Sequence, residues 1–199
     1  MDNILYKVSF PAEFHAQTAA EAALKLNIQL SDKLEEIDKV IIETQEPGIR
    51  IISKEGPLTN YADRDHCIEY IVAWCLLNGV LDSDSYSDDS ASDPRIDHLR
   101  EKTTTLENKK YTEIYYDLNH RAIPNKVIVK LNSGEEFEEE ILYPLGHKKR
   151  REEAASFLRE KFVNSMDNIN LDKDKLINFY DIDDLDSINI YKILENITK

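Results

Sequence analysis

An α+β fold is predicted for this 199-residue chain by three patterns that follow one another along the sequence. An alanine-rich amphipathic helix lies near the N-terminus, a strand–turn–strand pattern occupies "VIVKLNSGEEFEEEIL", and the last third shows a helical period throughout. The middle of the chain therefore mixes strands and helices, whereas its end is all helical. We expect a small mixed sheet-and-helix domain over residues 1–143 and a helical segment over residues 144–199.

Before residue 60 the sequence predicts three strands and one helix. The strands are expected at "DNILYKVSF", "IDKVIIET" and "GIRIIS", since each is rich in β-branched or alternating apolar residues. The helix is expected at "AEFHAQTAAEAALKL", directly after Pro11, which suits a first helical position. Its alanine density predicts close packing against a neighbouring element.

The segment "NYADRDHCIEYIVAWCLLNG", residues 60–79, is expected to form one helix that Gly79 ends. Its later part is apolar on every side, which is typical of a central core helix. Cys67 and Cys75 would lie about 12 Å apart along its axis, too far for a disulfide. They are expected to be buried thiols in a reducing compartment.

After Gly79 an acidic, serine-rich segment predicts only short helices, and Pro94 starts one that runs through Arg100. The clearest local pattern follows, with two alternating strands on either side of Asn132-Ser133-Gly134, a hairpin turn. A helix is expected from "GHKKRREEAASFLREKF", and two further amphipathic helices near residues 171–179 and 182–197.

The net charge of −14 disfavours nucleic acids and anionic membranes as partners, because both require a positive surface. Any anionic ligand must then be held by a local cluster of cations. The N-terminus lacks a signal-peptide pattern and no apolar run reaches the ~20 residues of a membrane span, so a cytoplasmic location is expected.

Metal sites are not expected from the sequence. "DSDSYSDDSASD" begins like a calcium loop, but Ser87 stands where glycine is required and Asp93 replaces the final glutamate. The two cysteines match no zinc pattern, and with five glycines in total the chain contains no phosphate-binding loop.

Arg64 and His66 are the first candidate binding residues. Cations at the N-terminus of a helix oppose its dipole, so their presence at the start of a firmly packed helix points to a carboxylate or phosphate ligand. The alternative is that Arg64 pairs with a nearby aspartate at the surface while His66 is buried and hydrogen-bonded.

Two further histidines are candidates. His147 opens the basic run "HKKRR", which precedes a helix; the alternative is a solvated charge cluster paired with the glutamate-rich hairpin or the aspartate-rich loops. His15 is either a histidine at the edge of the core or a site residue, and its spacing does not decide between them.

The stretches "KVSFPAEFHAQTAAEAALKL" and "GPLTNYADRDHCIEYIVAWCLLNG" closely resemble the MmgE/PrpD family. "DPRIDHLREK" and the hairpin through "GHKKRR" continue the resemblance in the same order, over nearly all of residues 4–165. The family fold combines a large all-helical domain with a smaller α+β domain, usually in a homodimer. The resemblance covers only the C-terminal part of that fold, with the final helices packing on an all-helical domain that this chain lacks.

The resemblance implies a cofactor-free hydro-lyase that dehydrates 2-methylcitrate to 2-methyl-cis-aconitate in propionate catabolism. Its site lies in the cleft between the two domains and takes a tricarboxylate-type small molecule. Lys7 corresponds to a lysine near the domain junction, so Lys7, Arg64 and His66 are expected to bind carboxylates. His15 or His147 is expected to assist proton transfer.

Two interpretations remain open. The chain is the C-terminal part of such a hydro-lyase and needs a helical domain, supplied by a separate partner chain in a split enzyme. Alternatively, it is a non-catalytic interaction module that self-associates through the apolar face of its last helices. Whether the isolated chain is an enzyme is left open by the sequence.

Overall fold

The computed structural model describes residues 7–165 and the single positions Asp174 and Tyr191. The chain divides into two compact units, Met1–Arg150 and Arg151–Lys199. The first unit contains a sheet with its covering helices, and the second is helical over residues 151–165. The predicted domains, residues 1–143 and 144–199, stay a prediction.

The first unit is built on a four-stranded mixed sheet. Its strands are β1 (Ile37–Thr44), β2 (Thr103–Glu107), β3 (Asn125–Leu131) and β4 (Glu136–Ile141). They lie in the order β2-β1-β3-β4, with β1 parallel to β2 and antiparallel to β3, while β3 and β4 form an antiparallel pair. A mixed sheet with helices on it confirms the predicted α+β class.

The hairpin of β3 and β4 turns at the predicted residues. Gly134 has a φ of 87°, in the region that glycine adopts without steric cost. The N–H of Leu131 donates to the carbonyl of Glu135 at 2.9 Å and closes the turn. Val127, Val129 and Leu131 are buried, as their alternation predicts.

Two helices form the layer that covers the sheet: α1 (Gln17–Leu30) and the apolar helix over residues 68–78. They pack on each other, and α1 also packs on β3 and β4. The alanines of α1 at positions 19, 20, 22 and 23 are fully buried. Their small side chains let α1 approach its neighbours closely, so the predicted close packing is confirmed.

The segment expected to be one helix over residues 60–79 is two helices, so that prediction was wrong. A short helix over residues 61–65 begins at Asn60, whose side chain accepts from the N–H of Asp63, and the apolar helix begins at Ile68. Cys67 between them has an extended backbone with φ −127° and ψ 107°. The charged residues therefore belong to a separate short helix that precedes the core helix.

The strand expected at "GIRIIS" is also wrong, because this segment is the helix α2 (Glu46–Ile52). The side chain of Gln45 accepts from the N–H of Gly48 at 2.8 Å, and Pro47 lies in the first turn. Both features favour the start of a helix, and they outweigh the preference of the β-branched isoleucines for a strand.

The remaining helices of the described residues are α3 (Tyr61–Asp65), α4 (Ile68–Asn78), α5 (Asp88–Ala91), α6 (Pro94–Glu101), α7 (Lys109–Tyr116) and α8 (Arg151–Ser165). The helix that Pro94 starts is confirmed, and β2 and α7 were not predicted. Residues 7–10 of the expected first strand are not in a strand, and the rest of that strand lies outside the described residues. The helices expected near 171–179 and 182–197 also lie there, apart from single positions.

Within residues 7–165, no helix is long and apolar enough to cross a lipid bilayer. The same residues contain no group of three or more histidine, cysteine, aspartate or glutamate side chains arranged to hold a metal ion. The cytoplasmic location stays a prediction.

The two cysteines are free and buried, as predicted. Burial, with the neighbouring Glu69 carboxylate, raises the pKa of Cys67 to about 11. Burial alone raises the pKa of Cys75. Both thiols therefore stay protonated near neutral pH.

Replacing Gly79 with alanine is expected to lower the free energy of unfolding by more than the same change at Gly134. Both glycines have positive φ, 67° and 87°, so each substitution costs ~1–2 kcal/mol of backbone strain. At Gly79 the new Cβ would also lie 2.6 Å from Oδ1 of Asn27, whereas at Gly134 it meets nothing within 4 Å. Urea denaturation measures both variants, and equal losses would contradict the role of the Asn27 contact.

Candidate functional site

His15 lies in a small cluster with Glu13 and Tyr115, which we call the His15 cluster. Its Nδ1 is 2.9 Å from Oε1 of Glu13, and its Nε2 is 3.2 Å from the hydroxyl of Tyr115. The side chains of His15 and Glu13 are 13% and 14% exposed. When the imidazole is neutral and donates from Nδ1 to Glu13, Nε2 is left as the acceptor that faces Tyr115.

The local sequence explains the position of His15. Glu13 caps a 3-10 turn over Phe14–Ala16, and its carboxylate accepts the N–H of His15 at 2.7 Å. The side chain of Asn125, at the start of β3, donates to the carbonyl of His15 at 2.8 Å and to the Thr18 hydroxyl at 2.7 Å. The backbone on both sides of the ring is therefore fixed to the core.

The acid–base properties of the cluster follow from this geometry. Burial would raise the pKa of Glu13, but the hydrogen bonds and the charge of His15 outweigh burial, and the pKa lies below its usual value. Burial, followed by repulsion from Tyr116 and Glu13, raises the pKa of Tyr115. The cluster thus combines a carboxylate, an imidazole and a protonated phenol.

The lowered pKa of Glu13 predicts a pH-dependent contribution to stability. The pKa of Glu13 is lower in the folded protein than its ordinary value of 4.5, so the carboxylate stabilises the fold at pH values above 4.5. This contribution is lost as the pH falls through the lower folded-state pKa. When the pH is lowered from about 6 to about 3, the free energy of unfolding of Glu13→Gln is expected to fall by less than that of the wild type. Urea unfolding across that range measures the difference, and Glu101→Gln, on an exposed residue, is the control. Identical pH profiles for wild type and Glu13→Gln would refute the prediction.

His66 is brought next to the segment that bears His15. The N–H of Glu13 donates to the carbonyl of Asp65 at 3.0 Å, which joins the two segments directly. His66 follows α3, its side chain is 48% exposed, and its Nδ1 lies 2.6 Å from Oδ1 of Asp65. The expected alternative of a buried His66 therefore does not describe this residue.

Arg64 is turned into the protein. Its guanidinium is 7% exposed, pairs with Asp88 at 2.8 Å and donates to the carbonyl of Tyr86 at 2.7 Å. These contacts tie α3 to the 3-10 turn over Asp84–Tyr86 and to the start of α5. Arg64 does pair with an aspartate, as the alternative expected, but its own side chain is buried instead of lying at the surface.

His147 is buried, with 1% of the residue exposed. Its Nδ1 accepts from the N–H of Lys149 at 3.2 Å, and its ring lies 4.6 Å from that of Tyr143. Arg150 binds the Glu21 carboxylate with both terminal nitrogens at 2.9 Å. Arg150, within the basic run, is thus attached to α1.

Lys7 is exposed in the coil before Pro11. Sequence reasoning did not single out Glu13 and Tyr115. Glu13 could have been found from its spacing of two residues from His15, whereas Tyr115 is 100 residues away and only the fold brings it near.

Comparison with known proteins finds matches over most of the chain. Residues 10–178 match the MmgE/PrpD C-terminal domain. Over 168 residues the chain is 51% identical to "2-methylcitrate dehydratase, mitochondrial" of Yarrowia lipolytica, which covers 82% of this chain and 32% of that protein. It is 48% identical over 166 residues to "2-methylcitrate dehydratase" of Escherichia coli K12, a match that covers 81% of this chain and 34% of that protein.

The "Probable 2-methylcitrate dehydratase" of Saccharomyces cerevisiae is 46% identical over 183 residues, covering 86% of this chain and 36% of that protein. The chain therefore spans about a third of the length of these relatives. The resemblance found in the sequence is confirmed, and the chain belongs to the MmgE/PrpD family.

Proposed function

We propose that the chain is the C-terminal portion of a hydro-lyase that converts 2-methylcitrate to 2-methyl-cis-aconitate and water. The observation that carries the proposal is the His15 cluster, in a chain that is 46–51% identical to the dehydratases above. Since the chain spans about a third of those relatives, the proposed activity needs an all-helical part from a longer protein or from a separate partner chain. The homodimer implied by the family also remains a proposal.

Dehydration requires two proton transfers. A C–H bond next to a carboxylate breaks, its electron pair forms the C=C bond, and the hydroxyl on the adjacent carbon leaves with a proton as water. The protein must therefore supply a base for the C–H bond and an acid for the hydroxyl.

The His15 cluster contains groups suited to both roles. Nε2 of His15 is the proposed base, because Nδ1 is directed to Glu13 and the carboxylate stabilises the imidazolium that forms. Tyr115 is the proposed acid, since its raised pKa keeps the phenol protonated. Nδ1 of His147 accepts from the N–H of Lys149 and the residue is 1% exposed, which favours His15 for proton transfer.

The substrate carboxylates are assigned to cations near this cluster. His66 is half exposed and its segment is bonded to that of Glu13, so it is the first proposed carboxylate ligand. Lys7 precedes the cluster on the same segment and is the second. Arg64 is proposed to position α3, and hence His66, through Asp88 and Tyr86.

The proposal is tested with a chimera of the Escherichia coli relative. In this chimera the C-terminal third of that relative is replaced by the matching residues of this chain. The ultraviolet absorbance of the conjugated product reports turnover of 2-methylcitrate. Turnover by the chimera supports the proposal. A folded chimera that stays inactive while the parent enzyme turns over would contradict it.

A second candidate function is a self-associating interaction module without catalysis. It is favoured by Phe157 and Leu158 of α8, which are 44% and 40% exposed. Analytical ultracentrifugation of the full chain and its Leu158→Glu variant tests it. Self-association that Leu158→Glu abolishes, together with an inactive chimera, would select this candidate.

A further inference from the structure

Strand β2 is an edge of the sheet, and half of its backbone groups are directed outward. Val40 donates to the carbonyl of Lys102 at 3.1 Å, and Asn108 donates to the carbonyl of Thr44 at 2.8 Å. In a parallel ladder with this register, even-numbered residues of β2 face β1. The N–H and C=O of Thr103 and Thr105 therefore point away from the sheet, and no hydrogen bond reaches them within the described residues.

A cavity of about 630 Å³ borders this edge. Thr103, Thr104 and Thr105 all line it, and successive strand side chains point to opposite faces. A cavity lined by three consecutive strand residues must therefore run along the edge of the strand. The loop over residues 53–57 and helix α6 form its other walls, and its lining shares no residue with the His15 cluster.

The walls of the cavity are held in place by a buried carboxylate and an arginine. Glu69 is 7% exposed and accepts from the hydroxyls of Ser53 at 2.7 Å and Thr105 at 2.5 Å. Arg100 donates to the carbonyl of Gly56 at 3.0 Å, which connects α6 to the loop. The groove is therefore preformed, and a ligand does not have to order it.

The charges of the groove favour a basic ligand. Its two cations already have acidic partners, since Arg100 pairs with Asp97 at 2.7 Å and Lys54 lies 3.7 Å from Asp63. Glu55 and Glu101 are exposed in the lining and make no ion pair with any other described residue.

We propose that the edge of β2 binds an extended, lysine- or arginine-rich peptide segment of a partner protein, which adds a fifth strand to the sheet. The outward N–H and C=O groups of Thr103 and Thr105 pair with its backbone. Glu55 and Glu101 bind its basic side chains. This activity is additional to the proposed dehydration and does not depend on it.

The test uses the full chain and an end-capped, fluorescent heptapeptide of alternating valine and lysine, with binding followed by fluorescence anisotropy. Thr105→Pro removes the outward N–H at a position where a strand edge accepts proline, and is expected to weaken binding about tenfold or more. Thr105→Val keeps the outward N–H and loses only the hydroxyl bond to Glu69, so it separates the backbone contribution from that of the groove wall. A loss of affinity in Thr105→Val as large as that in Thr105→Pro would contradict pairing through the backbone. Circular dichroism verifies the fold of both variants.

A second measurement does not depend on the folding of Thr105→Pro. The same peptide with alternate backbone nitrogens methylated, or with glutamate in place of lysine, is expected to bind the wild type about tenfold or more weakly. Glu55→Gln combined with Glu101→Gln is expected to weaken binding of the lysine peptide. Absent or non-saturable binding of the parent peptide, or equal binding of its methylated form, would overturn the proposal. Self-association of the chain that Thr105→Pro abolishes would assign the edge to a second copy and overturn it as well.

Discussion

Replacing His15 with alanine in the active chimera is expected to lower kcat by about 10²–10⁴-fold, the usual contribution of general base catalysis. The reason is that Nε2 of His15 carries the base function, with Nδ1 directed to Glu13 at 2.9 Å. The chimera's turnover of 2-methylcitrate measures the loss. His120→Ala is the control, since this half-exposed histidine pairs with Asp117, which is outside the cluster.

Related variants separate the proposed roles. Tyr115→Phe is expected to lower kcat because it removes the proposed acid at 3.2 Å from His15. His66→Ala is expected to raise KM more than it lowers kcat, as expected for a group that binds substrate and transition state alike. If His147→Ala removes activity while His15→Ala retains it, the assignment of the base to His15 is wrong.

Elements with a strong local period were predictable from the sequence. The hairpin of β3 and β4 combines alternating apolar and polar side chains with an Asn-Ser-Gly turn. Helix α6 begins at Pro94, which suits a first helical position. Helix α1 shows a helical period with buried alanines. In each case the local preference and the tertiary contacts agree, which makes a prediction from sequence dependable.

The elements that sequence reasoning missed depend on contacts between distant residues. "TTTLE" is too short to show a strand period, and it becomes β2 because β1 pairs with it in parallel. "GIRII" has β-branched residues but becomes α2 because Gln45 caps it. The break between α3 and α4 depends on the extended backbone of Cys67, which no residue preference of cysteine predicts.

The candidate site was only partly accessible to the same reasoning. Residue type and helix position suggested Arg64 as a ligand, but its contacts with Asp88 and Tyr86 come from a later segment of the chain. Tyr115 carried no signal of its own, because its importance comes from a contact with a residue 100 positions away. Residue chemistry identified His15 as a candidate, and the fold supplied its partners.

The greatest loss of stability is expected for Ile71→Ala, in the middle of the core helix α4. Ile71 is fully buried, so the substitution leaves a cavity and is expected to lower the free energy of unfolding by about 2–5 kcal/mol. Ile28→Ala on α1 is the matched control, because Ile28 is 78% exposed and its truncation is expected to change stability by less than ~0.5 kcal/mol. The chain has one tryptophan, Trp74 on α4, so its fluorescence during urea denaturation reports the unfolding of this helix. Losses of similar size at Ile71 and Ile28 would mean that α4 does not lie at the centre of the core.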